Sequence, residues 1–372
     1  MPVPRMSASA FVFAACMLAS AMGSADEPFL VIAPDAGNKQ LLSVSVRPTA
    51  DGIKIKQQKS LNLPFAPTGV ALQADGRRLI VTSSAKGGPN VATIAFDERD
   101  EFRIIRSSGL PHPAGYTSVD RSGRYFMTAH YVTGTIAVYR IENDGSVGGN
   151  VCTVTTPNKE AHCVLTTLDN RFAYIPCVKD NNALYQFAFD EKTGQLSPMD
   201  KFNASPPAMF GPRHVAYHPT LPIAYFSNEQ QLGVSVYEIG STGQLTDRQH
   251  AATMPRRTPF EQGKRDLHGS DLAITPDGKR LFVAVRDFNG DEDSVFAYRV
   301  EADGRLSLRS RTMVGDIPWK LNVSPDGKYL LVSEAFEGRL SILEIGNDAP
   351  MSVAGVVNWD AQVRDMVVAN AK

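Results

Sequence analysis

Four side chains in this sequence are of types that move protons or hold anions, and they recur at one place in a repeating pattern. His162 and Arg213 open two apolar strand-like runs. Glu229 ends the run Tyr225-Phe-Ser-Asn-Glu229, and Arg286 ends Leu281-Phe-Val-Ala-Val-Arg286. Two guanidinium groups can bind a carboxylate or phosphate, or stabilise the oxyanion that forms when a carbonyl is attacked. A carboxylate and an imidazole can carry protons to and from water or a ring oxygen. Each residue has a plainer reading, since a strand-end Arg beside a Glu is often an ion pair and a solitary His is usually a satisfied polar group. Their shared placement on one rim favours a reaction centre, with Glu229, His162, Arg213 and Arg286 as catalytic candidates and His214, Trp319 and Lys320 as substrate-binding ones.

That placement depends on a repeat with a period near fifty residues. Its clearest copies are Ile274-Thr-Pro-Asp-Gly278-Lys-Arg-Leu-Phe-Val and Val323-Ser-Pro-Asp-Gly327-Lys-Tyr-Leu-Leu-Val. Each has two alternating apolar runs joined by an Asp-Gly turn, a hairpin signal because glycine supplies positive φ. Gly76 and Gly123 mark further copies, Asn170 takes the same place in a fourth, and Tyr217-His-Pro-Thr has the turn without glycine. The steps from Gly76 to Gly123 and from Gly278 to Gly327 are 47 and 49 residues. A third and a weaker fourth alternating stretch follow each hairpin, which is the content of one propeller blade. A unit of this kind cannot bury its own faces and must stack on copies of itself.

Six copies are visible, and the seventh must come from both ends of the chain. Phe29-Leu-Val-Ile, Leu41-Leu-Ser-Val-Ser-Val and Ile53-Lys-Ile-Lys lack an innermost strand; Val363 to Ala369 looks like that strand without a blade. The expected fold is therefore all-β, one seven-bladed β-propeller over residues 26–372, closed when the C-terminal strand joins the N-terminal blade. Closure removes free sheet edges. Counting eight residues back from each turn gives Thr68, Gly115, His162, Arg213, Ser270 and Trp319 as the positions that open onto the central channel.

Arg5, the apolar run Ala8 to Ala21 and Gly23-Ser-Ala25 read as a secretory signal over residues 1–25, cleaved after Ala25 or, second, after Ala21. The apolar run is short for a bilayer span, so no integral membrane segment is expected in the mature chain. Of 38 basic and 39 acidic residues, the signal takes one arginine, leaving a net charge of −2, no basis for binding nucleic acid. A secreted or periplasmic monomer is expected. Cys163 and Cys177 flank a turn symmetrically, and either a disulfide or two buried thiols fits; Cys152 is left single. No cysteine spacing suggests zinc. Asp287, Asp291, Glu292 and Asp293 form an acidic stretch best read as a solvated turn, and two rim arginines would repel a divalent cation. No metal and no cofactor are expected.

Gly211-Pro-Arg-His214-Val-Ala-Tyr-His-Pro with Tyr225-Phe-Ser-Asn-Glu229, the segment Ser270 to Arg286, and Ala161-His162 through Lys192-Thr-Gly-Gln-Leu196 resemble the bacterial propeller 6-phosphogluconolactonases and the related carboxymuconate cyclases. The resemblance implies that His162, Arg213, Glu229 and Arg286 fall on positions used for catalysis and binding. Three departures stand out: Glu160 ahead of His162, Ala284-Val-Arg286 in place of Ser-Asn-Arg, and Pro318-Trp-Lys320 in place of Pro-Arg. The last removes a guanidinium and adds an indole. A secreted relative also stands apart from a cytoplasmic sugar phosphate. The expected activity is hydrolysis of a small sugar-type lactone, with the phosphorylated lactone as family default. The alternatives are a lactone-forming cycloisomerase acting on an unsaturated dicarboxylic acid, and a non-catalytic secreted propeller that binds a ligand or partner.

Overall fold

The structure is a computed structural model that describes residues 27–371 except 57, 86, 98, 254–265 and 347. The expected signal at 1–25 and its cleavage sites lie outside the described residues. Seven antiparallel sheets follow one another around a ring. Blades two to seven each have four strands and begin with the innermost strands Gly69–Leu72, Tyr116–Val119, Leu165–Thr166, Pro212–Tyr217, Leu267–Ile274 and Pro318–Val323. Blade one joins the two ends of the chain: Val367–Asn370 pairs with Phe29–Asp35, opposing Phe29 to Asn370 and Ile32 to Val367. Ring closure is as the sequence implies, but the closing strand is shorter than Val363 to Ala369. Residues 363–366 instead bend toward the axis, where Asp365 accepts the amide proton of Val70 at 2.9 Å.

The turns obey the residues that make them. Gly76, Gly123, Gly278 and Gly327 have φ between 66° and 73°, and Asn170 takes the same conformation at 59°. Strand alternation then sends apolar side chains to both faces of each blade, because both faces are covered by neighbours. The seven core clusters lie one at each junction between adjacent blades. Phe29, Val31 and Leu331 fill the junction of blades one and seven, Leu30, Ile32 and Leu79 that of one and two. No blade has a core of its own, which is why the ring must close.

Cys163 and Cys177 illustrate the alternation. Both are fully buried and free, Cys163 packed between blades four and five and Cys177 between three and four. The hairpin places them on opposite faces of one blade, which rules out the disulfide.

Candidate active site

The innermost strands converge on a cavity of about 610 Å³ at one end of the central channel. Thr68, Gly115, His162, Arg213 and Trp319 line it, five of the six positions counted back from the turns. The sixth, Ser270, is buried and donates its hydroxyl to the Trp319 carbonyl at 2.7 Å. His214 and Lys320 line the cavity as well. In a regular strand consecutive residues face opposite ways, so Arg213 and His214 should not both reach the axis. They do because the ladder slips here. Register shifts fall between Pro212 and Val215, Gly269 and Leu272, and Pro318 and Lys320, at the inner strands of blades five, six and seven. The bulges of blades five and seven aim two neighbouring side chains of one strand into the cavity.

A charged chain crosses the channel floor. The His214 Nδ1 proton is held by Asp271 Oδ1 at 2.6 Å; Asp271 Oδ2 lies 3.2 Å from Lys320 Nζ, which lies 3.7 Å from Asp365 Oδ1. Burial and Arg213 push the His214 imidazole down to about 4. Burial alone would raise the Asp271 carboxyl, but Lys320 and His214 hold it well below the usual range. Burial opposes the charge of Lys320, yet Asp271 and Asp365 keep it firmly protonated. Asp365 is pushed up by burial, with Lys320 opposing. The floor is thus an ionised Asp271–Lys320 pair beside a neutral histidine whose tautomer is set by Asp271.

His162 stands above this floor. Its ring meets Tyr131 edge-on at 6.0 Å and lies 5.0 Å from the His214 ring. Burial first, then Arg213 and His214, hold it well below the usual histidine range, so it is neutral. Its Nδ1 is buried without a hydrogen-bond partner, and so is the Nε of Arg213. Buried polar groups are rarely left unpaired, and both of these atoms belong to residues that line one cavity.

Glu229 and Arg286 take a different place from the other candidates. Neither lines the cavity. Arg286 Nη2 donates to Glu229 Oε1 at 2.9 Å and to the Gly269 carbonyl at 3.0 Å, while Arg213 Nε lies 3.9 Å from the same Glu229 oxygen. Desolvation would raise Glu229, but the two guanidiniums outweigh it and hold the carboxyl low. Gly269 makes this approach possible, since a Cβ there would sit 2.2 Å from the Asn228 carbonyl oxygen. The group is a buried ion-pair cluster behind the wall formed by Arg213 and Trp319. Arg286 also lies over the Trp319 indole at 4.6 Å.

Sequence reasoning missed Asp271, Asp365 and Arg364. Asp271 was visible as a charge following an inner-strand start. Arg364 and Asp365 were a charged pair inside a segment read as a plain closing strand. Glu160, by contrast, sits outside the cavity at φ 73° and accepts the Asn181 amide at 3.1 Å. In the acidic stretch of blade six, Asp293 accepts the amides of Asp287 and Ile317, and Glu292 pairs with Arg311.

Residues 32–350 match the family model described as lactonase, 7-bladed β-propeller. A Cronobacter sakazakii protein named 6-phosphogluconolactonase is 29% identical over 252 residues, covering 63% of this chain and 72% of the relative. A Yersinia pestis protein of the same name is 25% identical over 292 residues, covering 77% and 82%. The solved structure of a periplasmic gluconolactonase from Pseudomonas aeruginosa superposes with a TM-score of 0.80 at 19% identity, over 93% of this chain and all of that one. A Lactobacillus plantarum protein superposes with a TM-score of 0.77, also at 19% identity, over 93% and 100%. At these identities the two structures establish the fold.

Proposed function

The chain belongs to the seven-bladed β-propeller lactonase family, and on that footing we propose that it hydrolyses a small sugar-type lactone to the hydroxy acid without a cofactor. The named relatives support this reading, being called 6-phosphogluconolactonases. The observation that carries it is the pair of unpartnered buried donors and acceptors, His162 Nδ1 and Arg213 Nε, on one cavity.

In this reading neutral His162 accepts a proton from water as the oxygen attacks the lactone carbonyl carbon. Arg213 Nε–H donates to the carbonyl oxygen as it becomes an oxyanion. Collapse breaks the bond to the ring oxygen, and the proton on His162 passes to that leaving alkoxide. A histidine held far below its ordinary range is a weak base but, once protonated, a strong acid, which suits the second step. Glu229 is then the counter-ion that fixes Arg213 and Arg286, rather than the base. His214 and Lys320, with Asp271, form a rigid floor. A periplasmic location, a monomeric state and the single domain over 26–372 complete the proposal. The apolar run at the start of the sequence supports export, and among the described residues no helix is long and apolar enough to cross a membrane.

Proton release during opening of glucono-1,5-lactone, read with a pH indicator, tests the reading. Hydrolysis above the spontaneous rate is expected, with His162→Asn and Arg213→Met each lowering it by about 10²-fold or more. Absence of acceleration over a panel of sugar lactones, with the folded protein in hand, would leave the cycloisomerase or simple binding instead.

A further inference from the structure

Trp319 is the centre of a group of three guanidiniums. Arg286 lies over the indole with its central carbon 4.6 Å from the ring, Arg364 also lies at 4.6 Å, and Arg213 at 5.8 Å. Two of the three share one counter-ion, because Arg213 and Arg286 converge on Glu229. Arg364 does not share it. It is exposed, lines the cavity and, among the described residues, has no carboxylate within ion-pair distance; its one hydrogen bond is to Gln362 Oε1 at 3.3 Å. It arrives from the segment that bends inward ahead of the closing strand, so its position is fixed by ring closure and by its anchored neighbour Asp365.

We propose that Arg364, held against the Trp319 face at the cavity mouth, recognises an anionic substituent on the lactone, a phosphate or a carboxylate carried away from the ring carbonyl. The proposal rests on the lactonase reading of the cavity. The indole pre-orders a side chain that would otherwise lose rotamer freedom on binding, while leaving its N–H fork available for a bidentate contact. A second reason is local repulsion. Arg364 faces two like charges across the indole with only one carboxylate among the three, and an incoming anion relieves that excess. The wall carboxylates nearest the axis are already engaged, Asp35 by the Asn38 amide and side chain and Asp365 by Val70, Met366 and Lys320. Asp360 is exposed and lines the same cavity. Arg364 is thus a specificity residue, distinct from the groups that act on the carbonyl.

The test compares wild type with Arg364→Ala and Arg364→Lys on three substrates: glucono-1,5-lactone, its 6-phosphate, and a glucarolactone that carries a carboxylate. Arg364→Ala is expected to lower kcat/KM for one or both anionic lactones by about tenfold, the worth of one charge-assisted contact. The neutral lactone should change by less than about twofold, and Lys should rescue only in part because an ammonium cannot form the fork. Loss on the phosphate alone or the carboxylate alone names the source. Equal loss on all three, or no loss on any, overturns the proposal. If wild type opens no lactone, the lactonase reading fails and binding decides separately. Titration with 6-phosphogluconate, glucarate and gluconate is then followed by indole fluorescence, since the chain has only two tryptophans and Trp359 is buried. Anion-selective binding that weakens in Arg364→Ala and with added salt supports Arg364; its absence in wild type overturns it.

Discussion

Replacing Glu229 by glutamine separates a counter-ion from a catalytic base. The side chains of Arg213 and Arg286 are 1% and 3% exposed, that of Glu229 is 12%, and both guanidiniums address one oxygen at 3.9 and 2.9 Å. Removing one charge from a buried pair costs about 3–5 kcal/mol, because the partner stays desolvated without compensation. Glutamine keeps the volume and an acceptor for Arg286, so the low end applies, about 3 kcal/mol. For a chain of this length the melting entropy converts that into a fall of roughly 4 °C. Activity should drop as well, since Arg213 loses the group that positions it. The shape of the pH–rate profile should not change. Urea melts and pH profiles of Glu229→Gln check both statements. Adding Arg286→Met should recover part of the lost stability, because an apolar side chain of similar size needs no counter-ion and only Arg213 is then left without one. If Glu229→Gln melts like wild type while the acidic limb of its rate profile moves or vanishes, Glu229 is the base and the account of the ion-pair cluster is wrong.

Two further outcomes follow from the same structure. His162 and His214 are both held below their unfolded value near 6.5, so the unfolded chain binds more protons and stability falls as pH drops below 6.5. Each histidine kept neutral contributes a loss of about 2 kcal/mol between pH 7.5 and 5, about 4 kcal/mol for the pair, and His162→Asn should roughly halve it. Melting temperatures flat across that window would show that neither imidazole is kept neutral. Truncation after Met366 removes the strand opposing Phe29 to Ile32 and should yield insoluble or poorly cooperative protein, read by size-exclusion chromatography and thermal melts; unchanged melting would refute closure through this strand.

The sequence carried the ring almost whole. Turn residues with positive φ and alternating apolar runs are local signals, and a fixed period propagates them, so six blades and the split first blade were legible without coordinates. The same counting placed His162, Arg213 and Trp319 on the channel, because an inner strand's start is tied to its turn by a fixed number of residues. What counting could not supply is how a strand departs from its own period. The bulges at Arg213–His214 and Trp319–Lys320 turn consecutive side chains into the cavity, and a third register shift falls at Ser270–Asp271, so His214 and Lys320 meet Asp271 in a charged floor that alternation forbids. Nor could it settle partners from different blades. Glu229 and Arg286 lie 57 residues apart, and whether they face a ligand or each other depends on how closely blade six approaches blade five, a distance set by Gly269. Arg364 is a further case. It is remote in sequence from the Trp319 face it covers, and only closure of the ring brings the end of the chain over the cavity, since that contact is set by packing between blades and not by any pattern along one of them.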